Sequence, residues 1–404
     1  MKRVPDRLAS WIPDILLFTF ALLAQAAVVV TMLRRAQDRA RRRAVWGFFA
    51  ISSSAMALGF ALRSTRVAEM FHGNWPIWIR ALLFAWMLVA LCWALTYVVL
   101  RFARRVARWS LARYGSGVNF ERRGFIRTVS GALYAAPVAA LGYAVVLERR
   151  NISLREHEIS IAGLPMDLDG LRLVQITDIH MSAFFSRRQL DYAVAMANET
   201  RAHVALVTGD LITGARDPLD SCLAGLKALR AEAGLFGCMG NHEIYARVED
   251  RVEQAGAQQG LRFLRHANIT LPFGAARLNL AGVDYQRLSQ PYLVDAEKLV
   301  IPGACNILLS HNPDVFDVAA RQGYDLTISG HTHGGQVRVE ILGADFNAAR
   351  FYTPYVDGLY RKGAAGNAGK GSSTIFVSRG LGTIGIPARL GAPPEVTLLR
   401  LRRV

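Results

Sequence analysis

The chain has 404 residues, more than one typical domain, so two folding units are expected. Its net charge of +17 is unevenly shared: residues 1–150 carry +16 and residues 151–404 carry +1. The basicity belongs to the first part, where Arg runs flank apolar segments, and this disfavours nucleic acid as a partner. The four cysteines, Cys92, Cys222, Cys238 and Cys305, include no Cys-x-x-Cys pair. They read as small buried hydrophobes and imply no disulfide framework.

Four apolar runs fill the first part, near 15–33, 45–62, 81–100 and 128–146. Each approaches the roughly 20 residues that a helix needs to cross a bilayer. The second is the weakest, with Ser52, Ser53 and Ser54 inside it. Residues 1–147 are therefore expected to form an all-α transmembrane region of about four helices. Arg34 to Arg43 and Arg101 to Arg127 make two Arg-rich loops. The positive-inside rule puts both in the cytoplasm and brings the chain out of the fourth span on the far side. The expectation is a multi-pass protein of the bacterial inner (cytoplasmic) membrane, embedded among membrane lipids. Its remaining part, 148–404, would be periplasmic or extracellular. Glu121 to Arg127, Glu-Arg-Arg-Gly-Phe-Ile-Arg, also resembles a twin-arginine export signal, which carries folded cargo outward. The same residues read equally as a positive-inside flank.

Beyond a polar linker at Glu148 to Ser153, the chain alternates strands and helices. Glu156 to Ile161 reads as an edge strand and Leu171 to Ile176 as a buried one. A helix over Gln189 to Thr200 follows, with Leu190, Ala193 and Val194 on its apolar side. Then come a strand ending at Asp210, a helix from Pro218 to Ala231, a strand ending at Gly240 and a helix from Val248 to Gln259. This alternation argues for sheet faces covered by helices. Later strands are expected at 277–282, 304–310, 326–329, 336–340, 374–378 and 395–401, with a Gly- and Ser-rich loop at 363–373. Phe184 and Phe185 sit in a loop where they could pack or meet substrate or bilayer.

Five of these strands end in the same way. The exits carry Asp178 and His180; Asp210; Asn241, His242 and Glu243; His311; then His331 and His333. Asp178 and His180 are two apart, so in extended backbone they share one side. The donors are oxygen and nitrogen types with no thiolate, which argues against a structural zinc site and for a catalytic metal site.

In order, Asp-x-His, Gly-Asp, Gly-Asn-His-Glu, a lone His and Gly-His-x-His resemble the calcineurin-like metallophosphoesterase superfamily. The resemblance covers about Leu171 to His333. The closing run through Ser378-Arg379-Gly380, Arg389 and Pro393-Pro394-Glu395 resembles a membrane-linked bacterial branch of that family. The resemblance implies an α/β fold, a two-sheet α/β/β/α sandwich over 148–404. It also implies two divalent metal ions, Mn, Fe, Zn or Mg. Asp178, His180 and His333 would bind the first, Asp210 would bridge as a catalytic ligand, and Asn241, His311 and His331 would bind the second. The family uses the position of His242 near the leaving group, as proton donor or transition-state stabiliser. Glu243 would orient His242 or close its turn. Arg379 and Arg389 would bind substrate phosphate or pair within the fold. After Gly-Asp, Leu211 to Gly214 lack the further acidic residue of many relatives.

A phosphate ester repels a nucleophile until its charge is neutralised, which paired cations about 3.5–4 Å apart accomplish. The expected activity is therefore metal-dependent hydrolysis of a phosphomonoester or phosphodiester, with a lipid-linked or envelope substrate suggested by the anchor. Two alternatives stand beside it. Some relatives cleave UDP-2,3-diacylglucosamine in lipid A synthesis, but that substrate is cytoplasmic. A non-catalytic membrane sensor would hold metal or phosphate without turnover, yet usually lacks a ligand present here. A nuclease would want a basic groove, which +1 over residues 151–404 does not suggest.

Overall fold

The computed structural model describes residues 12–36, 38–61, 75–114, 120–287, 291–341, 344–363 and 372–404. Two compact units result, Met1–Tyr143 and Ala144–Val404.

The first unit is helical: α1 (Ile12–Arg35), α2 (Arg39–Ala61), α3 (Trp75–Tyr114) and most of α4 (Phe120–Val146). All four expected runs fall in these helices, except Leu62, which lies outside the described residues. Two stretches, Ile77–Ser110 and Thr128–Arg150, are long and apolar enough to cross a membrane. Phe18–Arg34 is apolar but shorter, and α2 opens on Arg39, Arg41, Arg42 and Arg43. Lys2, Arg3, Arg7 and the segments 63–74 and 115–119 lie outside the described residues. Ala21, Met56 and Met87 are buried together between the helices. Gln25 of α1 donates to the Ser52 and Ser53 hydroxyls of α2, so the serines that weaken the apolar run serve helix association. Phe20, Leu23, Ile51, Leu95 and Val98 point outward, an exterior suited to lipid.

The second unit holds two six-stranded sheets. The first contains β1 (Ser153–Ile161), β2 (Arg172–Ile176), β3 (Val204–Val207), β4 (Leu235–Gly237), β5 (Leu261–Phe263) and β14 (Glu395–Arg403). Their order is β1-β14-β2-β3-β4-β5, and β2 to β5 run parallel. The second contains β6 (Ala267–Phe273), β7 (Ala276–Gly282), β8 (Cys305–Leu309), β9 (Leu326–Ser329), β12 (Gly358–Gly363) and β13 (Ser372–Val377). Here the order is β12-β13-β9-β8-β7-β6, with β7, β8 and β9 parallel. A hairpin of β10 (Arg338–Ile341) and β11 (Ala344–Asn347) stands apart.

The sequence of β3, Val-Ala-Leu-Val, is buried throughout, as expected of a strand covered on both faces. Leu206 turns to the other sheet, with Leu280, Ile307, Ile328 and Phe376. Ala205 and Val207 turn to the helices α5 (Arg187–Glu199), α6 (Leu219–Leu226) and α8 (Glu249–Gln258). α9 (Phe316–Gln322) covers the outer face of the second sheet, through Phe316 on Ile375 and Val377. The result is a mixed α/β unit of two facing sheets. Ser186 starts α5 with a capping box: its side chain accepts from Gln189 N, and Gln189 answers to Ser186 N.

Some elements differ from expectation. The helix expected over 218–231 stops at Leu226, and the loop expected at 363–373 falls mostly on 364–371, outside the described residues. Glu148 and Arg149, expected in an exposed linker, are buried. Arg149 donates to Phe184 O at 2.8 Å, and Arg389 N donates to Ala144 O at 3.2 Å. Phe185 is buried against the helices, so it packs. The four cysteines are free thiols.

Phe376 is wholly buried between the sheets. Phe376→Ala is expected to cost about 3–5 kcal/mol, read as a lowered melting transition in calorimetry of the full chain. An unchanged transition would contradict the two-sheet core.

Candidate metal centre

β2, β3 and β4 of one sheet and β8 and β9 of the other send their C-terminal exits to a common place. Asp178, His180 and His333 bring ligand atoms within 4.8 Å of one another, as do His180, Asp210 and His242, and as do Asp210, His311 and His331. The three groups share His180 and Asp210, so they form one centre. Asp178, His180, Asp210, Asn241, His311 and His333 are buried, while His242 and His331 are half-buried.

The reason Asp178 and His180 converge is not the expected one. β2 ends at Ile176, and both residues have left-handed backbone, φ 50 and φ 45. Their N–H groups donate to Gly209 O at 3.1 Å and Asp210 O at 3.0 Å. The loop after β2 thus follows the loop after β3 instead of continuing as strand. Asp210 (φ 53), His331 (φ 76) and His333 (φ 53) share this conformation. It costs of order 1–3 kcal/mol for each such residue and persists where surrounding structure enforces it. Two glycines are needed for the loops to approach. A Cβ on Gly240 would meet Asp210 Oδ1, and one on Gly330 would meet Asp178 Oδ2.

Asp210 Oδ2 lies 3.4 Å from His180 Nε2 and 3.1 Å from His311 Nε2. Its Oδ1 accepts from His242 N at 3.0 Å. Asp178 Oδ1 lies 3.5 Å from His333 Nε2, and the carboxylate accepts from His331 N at 3.0 and 3.1 Å. His180 Nε2 and His333 Nε2 approach to 3.1 Å.

Burial raises Asp178 above the usual carboxylate range. Burial would raise Asp210 too, but the His311 and His180 imidazoles outweigh it and hold Asp210 well below that range. Burial opposes a charge on His311, yet the Asp210 and Asp178 carboxylates hold it up at about 10. Burial pushes His242 down. Burial with the neighbouring His311 takes His331 to about 3, and burial with His180 and Arg389 pushes His333 well below its ordinary value.

These residues fit a divalent cation. Asn241 Oδ1 is buried with no hydrogen-bond partner, and the buried His311 Nε2 has the Asp210 carboxylate 3.1 Å away. Neutral imidazoles are the metal-binding form, and the carboxylates draw positive charge to this point. The buried Cys222 and Cys238 thiols are pushed up by desolvation, so no thiolate competes.

Residues 171–335 match the family described as calcineurin-like phosphoesterase. A Danio rerio protein named "Transmembrane protein with metallophosphoesterase domain" is 31% identical over 309 residues, 72% of this chain and 67% of that one. The chain belongs to the calcineurin-like phosphoesterases. An uncharacterized metallophosphoesterase of Bacillus subtilis, YkuE, is 29% identical over 290 residues, 70% of this chain and 98% of its own. The Escherichia coli phosphodiesterase YaeI is 26% identical over 284 residues, 70% and 99% of the two chains. This phosphoesterase is accordingly a metal-dependent phosphoester hydrolase.

Several residues outside the ligand set brace the phosphoesterase centre. Glu243 closes its turn, as one expectation had it, and does more: it accepts from Gly240 N at 2.8 Å, Asp210 N at 2.9 Å and Leu211 N at 2.7 Å. It thereby ties the β3 exit to the β4 exit. Asp217 accepts from Thr213 N and Gly214 N at 2.9 and 2.8 Å. That fixes Thr213, whose carbonyl accepts from His242 Nδ1 at 2.6 Å. His311 Nδ1 donates to Thr208 O at 2.7 Å, so its Nε2 faces the centre. Arg379 pairs with Asp357 at 2.9 Å. Arg389 makes no such pair among the described residues. It is fully buried, pushed down to about 10 by desolvation, and donates to His333 O at 2.9 Å, Gly382 O at 3.0 Å and Ala392 O at 3.2 Å. It braces backbone rather than meeting a substrate phosphate.

Glu243→Ala strips three N–H groups of their acceptor. Outer partners of this kind are worth about 10–100-fold in metal affinity, so Mn binding by calorimetric titration should weaken by that much. Unchanged affinity would refute the bracing role.

Proposed function

We propose that the chain is a membrane-anchored binuclear phosphoesterase that hydrolyses phosphomonoesters or phosphodiesters. The observation that carries this reading is the overlap of the three ligand groups through Asp210 and His180. Asp178, His180 and His333 hold one divalent cation, Asn241, His311 and His331 hold the second, and Asp210 serves both. Such a pair of ions supplies charge neutralisation at the phosphoryl oxygens and an acidified water. Mn, Fe, Zn and Mg all suit these donors.

The rest falls to the protein's own groups. His242 keeps its Nδ1 proton on Thr213 O, which turns Nε2 toward the centre. From there its protonated form gives the Nε2 proton to the leaving oxygen as the P–O bond breaks and regains a proton from water afterwards. Burial favours the neutral form, which makes that proton easier to give. The braced left-handed loops hold the ligands ready, so little reorganisation accompanies substrate binding.

The anchor extends the reading. Ile77–Ser110 and Thr128–Arg150 are suited to spanning, and α1 and α2 complete a multi-pass region over about residues 1–147, with 148–404 catalytic. The Arg-rich stretches, which are helical at Arg39–Arg43 and Arg101–Arg113, favour a catalytic unit outside the cytoplasm. A lipid-linked or envelope phosphoester is the substrate that such a placement suits. Protease added to intact spheroplasts should then cut residues 148–404, and protection from it would reverse the orientation.

The full chain in detergent should hydrolyse p-nitrophenyl phosphate or bis-p-nitrophenyl phosphate with Mn added, and not with chelator present. Asp210→Asn should abolish turnover, and His242→Ala should lower kcat by about 10²–10⁴-fold. Turnover that survives chelation, or a His242→Ala variant of undiminished kcat, would contradict the mechanism.

A further inference from the structure

A pocket of about 520 Å³ lies beside the centre, lined by Ile244, Tyr245, Arg247, Tyr285 and Arg287. Two rigid pieces build it. The first is the short helix α7 (Asn241–Ala246), whose start carries Asn241 and His242 and whose end carries Tyr245, with Arg247 capping it at φ 56. His242 and Tyr245 are one turn apart, their rings 6.0 Å from centre to centre. The second is the loop after β7. Its Tyr285 ring lies 5.6 Å from His331, 6.3 Å from His311 and 6.2 Å from Tyr245. The pocket therefore shares aromatic walls with ligands of the centre, on the side where His242 serves the leaving group.

The loop is fixed from both sides of Tyr285. Arg265 clasps Asp284 at 2.9 to 3.1 Å and also reaches Asp250 and Glu253 of α8. Asn312, next to His311, donates to Gln286 O at 2.8 Å. Arg247 and Arg287 are both exposed, and neither makes an ion pair among the described residues. The acidic side chains nearby, Asp284, Asp250 and Glu253, are engaged by Arg265 instead.

We propose that this pocket receives the leaving group of the substrate, and that this leaving group carries its own negative charge on a ring. The inference rests on the phosphoesterase reading of the adjoining centre and narrows its substrate class. Tyr245 and Tyr285 pack on the ring, and Arg247 and Arg287 hold a phosphate or carboxylate at its far end. Guanidinium forks suit either anion. A phosphoester with a neutral leaving group fills the same centre without using the arginines.

Phosphonates that cannot be hydrolysed test this on the Mn-loaded full chain in detergent. Benzylphosphonate, 4-carboxybenzylphosphonate and p-xylylenediphosphonate share one ring and differ at its far end. Calorimetric titration should show one or both doubly anionic probes binding roughly fivefold or more tighter than benzylphosphonate, a preference that falls with salt. The tighter of the two tells carboxylate from phosphate. In the Arg247→Ala/Arg287→Ala double variant the ratio should fall close to one. Equal affinities in the unmodified chain, or a preference that survives in the double variant, would overturn the pocket's role while leaving the centre's intact. Failure of all three probes and of inorganic phosphate to bind would overturn the phosphoesterase reading and the pocket proposal together.

Discussion

Two carboxylates buried among imidazoles set the terms for the catalytic unit. Asp178 and Asp210 are taken out of water at the junction of two sheets, and no lysine or arginine lies within ion-pair distance of either among the described residues. Their close partners are backbone N–H groups and His180, His311 and His333. Burial of charge without compensation is costly, so the site draws positive charge from whatever is near. His311 answers by holding a proton far above its ordinary range. A divalent cation would answer better, because it would also suit the neutral imidazoles and the unpartnered Asn241 oxygen.

The remainder of the unit serves to hold that arrangement. Left-handed backbone at five site residues is a conformation that their own side chains oppose, and it survives because the loops brace one another. Glu243 joins two strand exits. Gln175 crosses between the sheets, donating to Thr208 in one and to Ser329 O in the other. Arg389 gathers the carbonyls of the closing run around His333. The stability of the sandwich is thus spent on a rigid edge.

Much of this was legible in the residues. β-branched and aliphatic runs as short as Val204–Val207 announced strands buried on both faces, and the Asp, Asn and His types at their ends announced a metal edge. Seven of the eight expected site residues bring ligand atoms close to one another, and the Asn241 side-chain oxygen is buried without a partner. Other features depend on tertiary context and leave no local trace. The side-by-side placement of Asp178 and His180 follows from a loop that copies the β3 exit, not from strand alternation. Asp217 closes the loop after Asp210 through Thr213 N and Gly214 N, a role that no motif marks. β5, β6, β11 and β12 were not read as strands: β5 is only three residues long, β11 belongs to a separate two-stranded hairpin, and β6 and β12 sit on sheet edges. Arg389 was open to a substrate phosphate or to pairing within the fold, and its burial shows that its donors are committed to backbone carbonyls. Tyr285 and Arg287 lie in a loop that carries no motif.

The central claim is that one chain holds a pair of cations across Asp210. Metal analysis by plasma mass spectrometry on the purified full chain, after equilibration with Mn and removal of free ion, tests it most directly. The account predicts two ions per chain, and fewer in Asp210→Asn. A single ion, or a count that Asp210→Asn leaves unchanged, would contradict it.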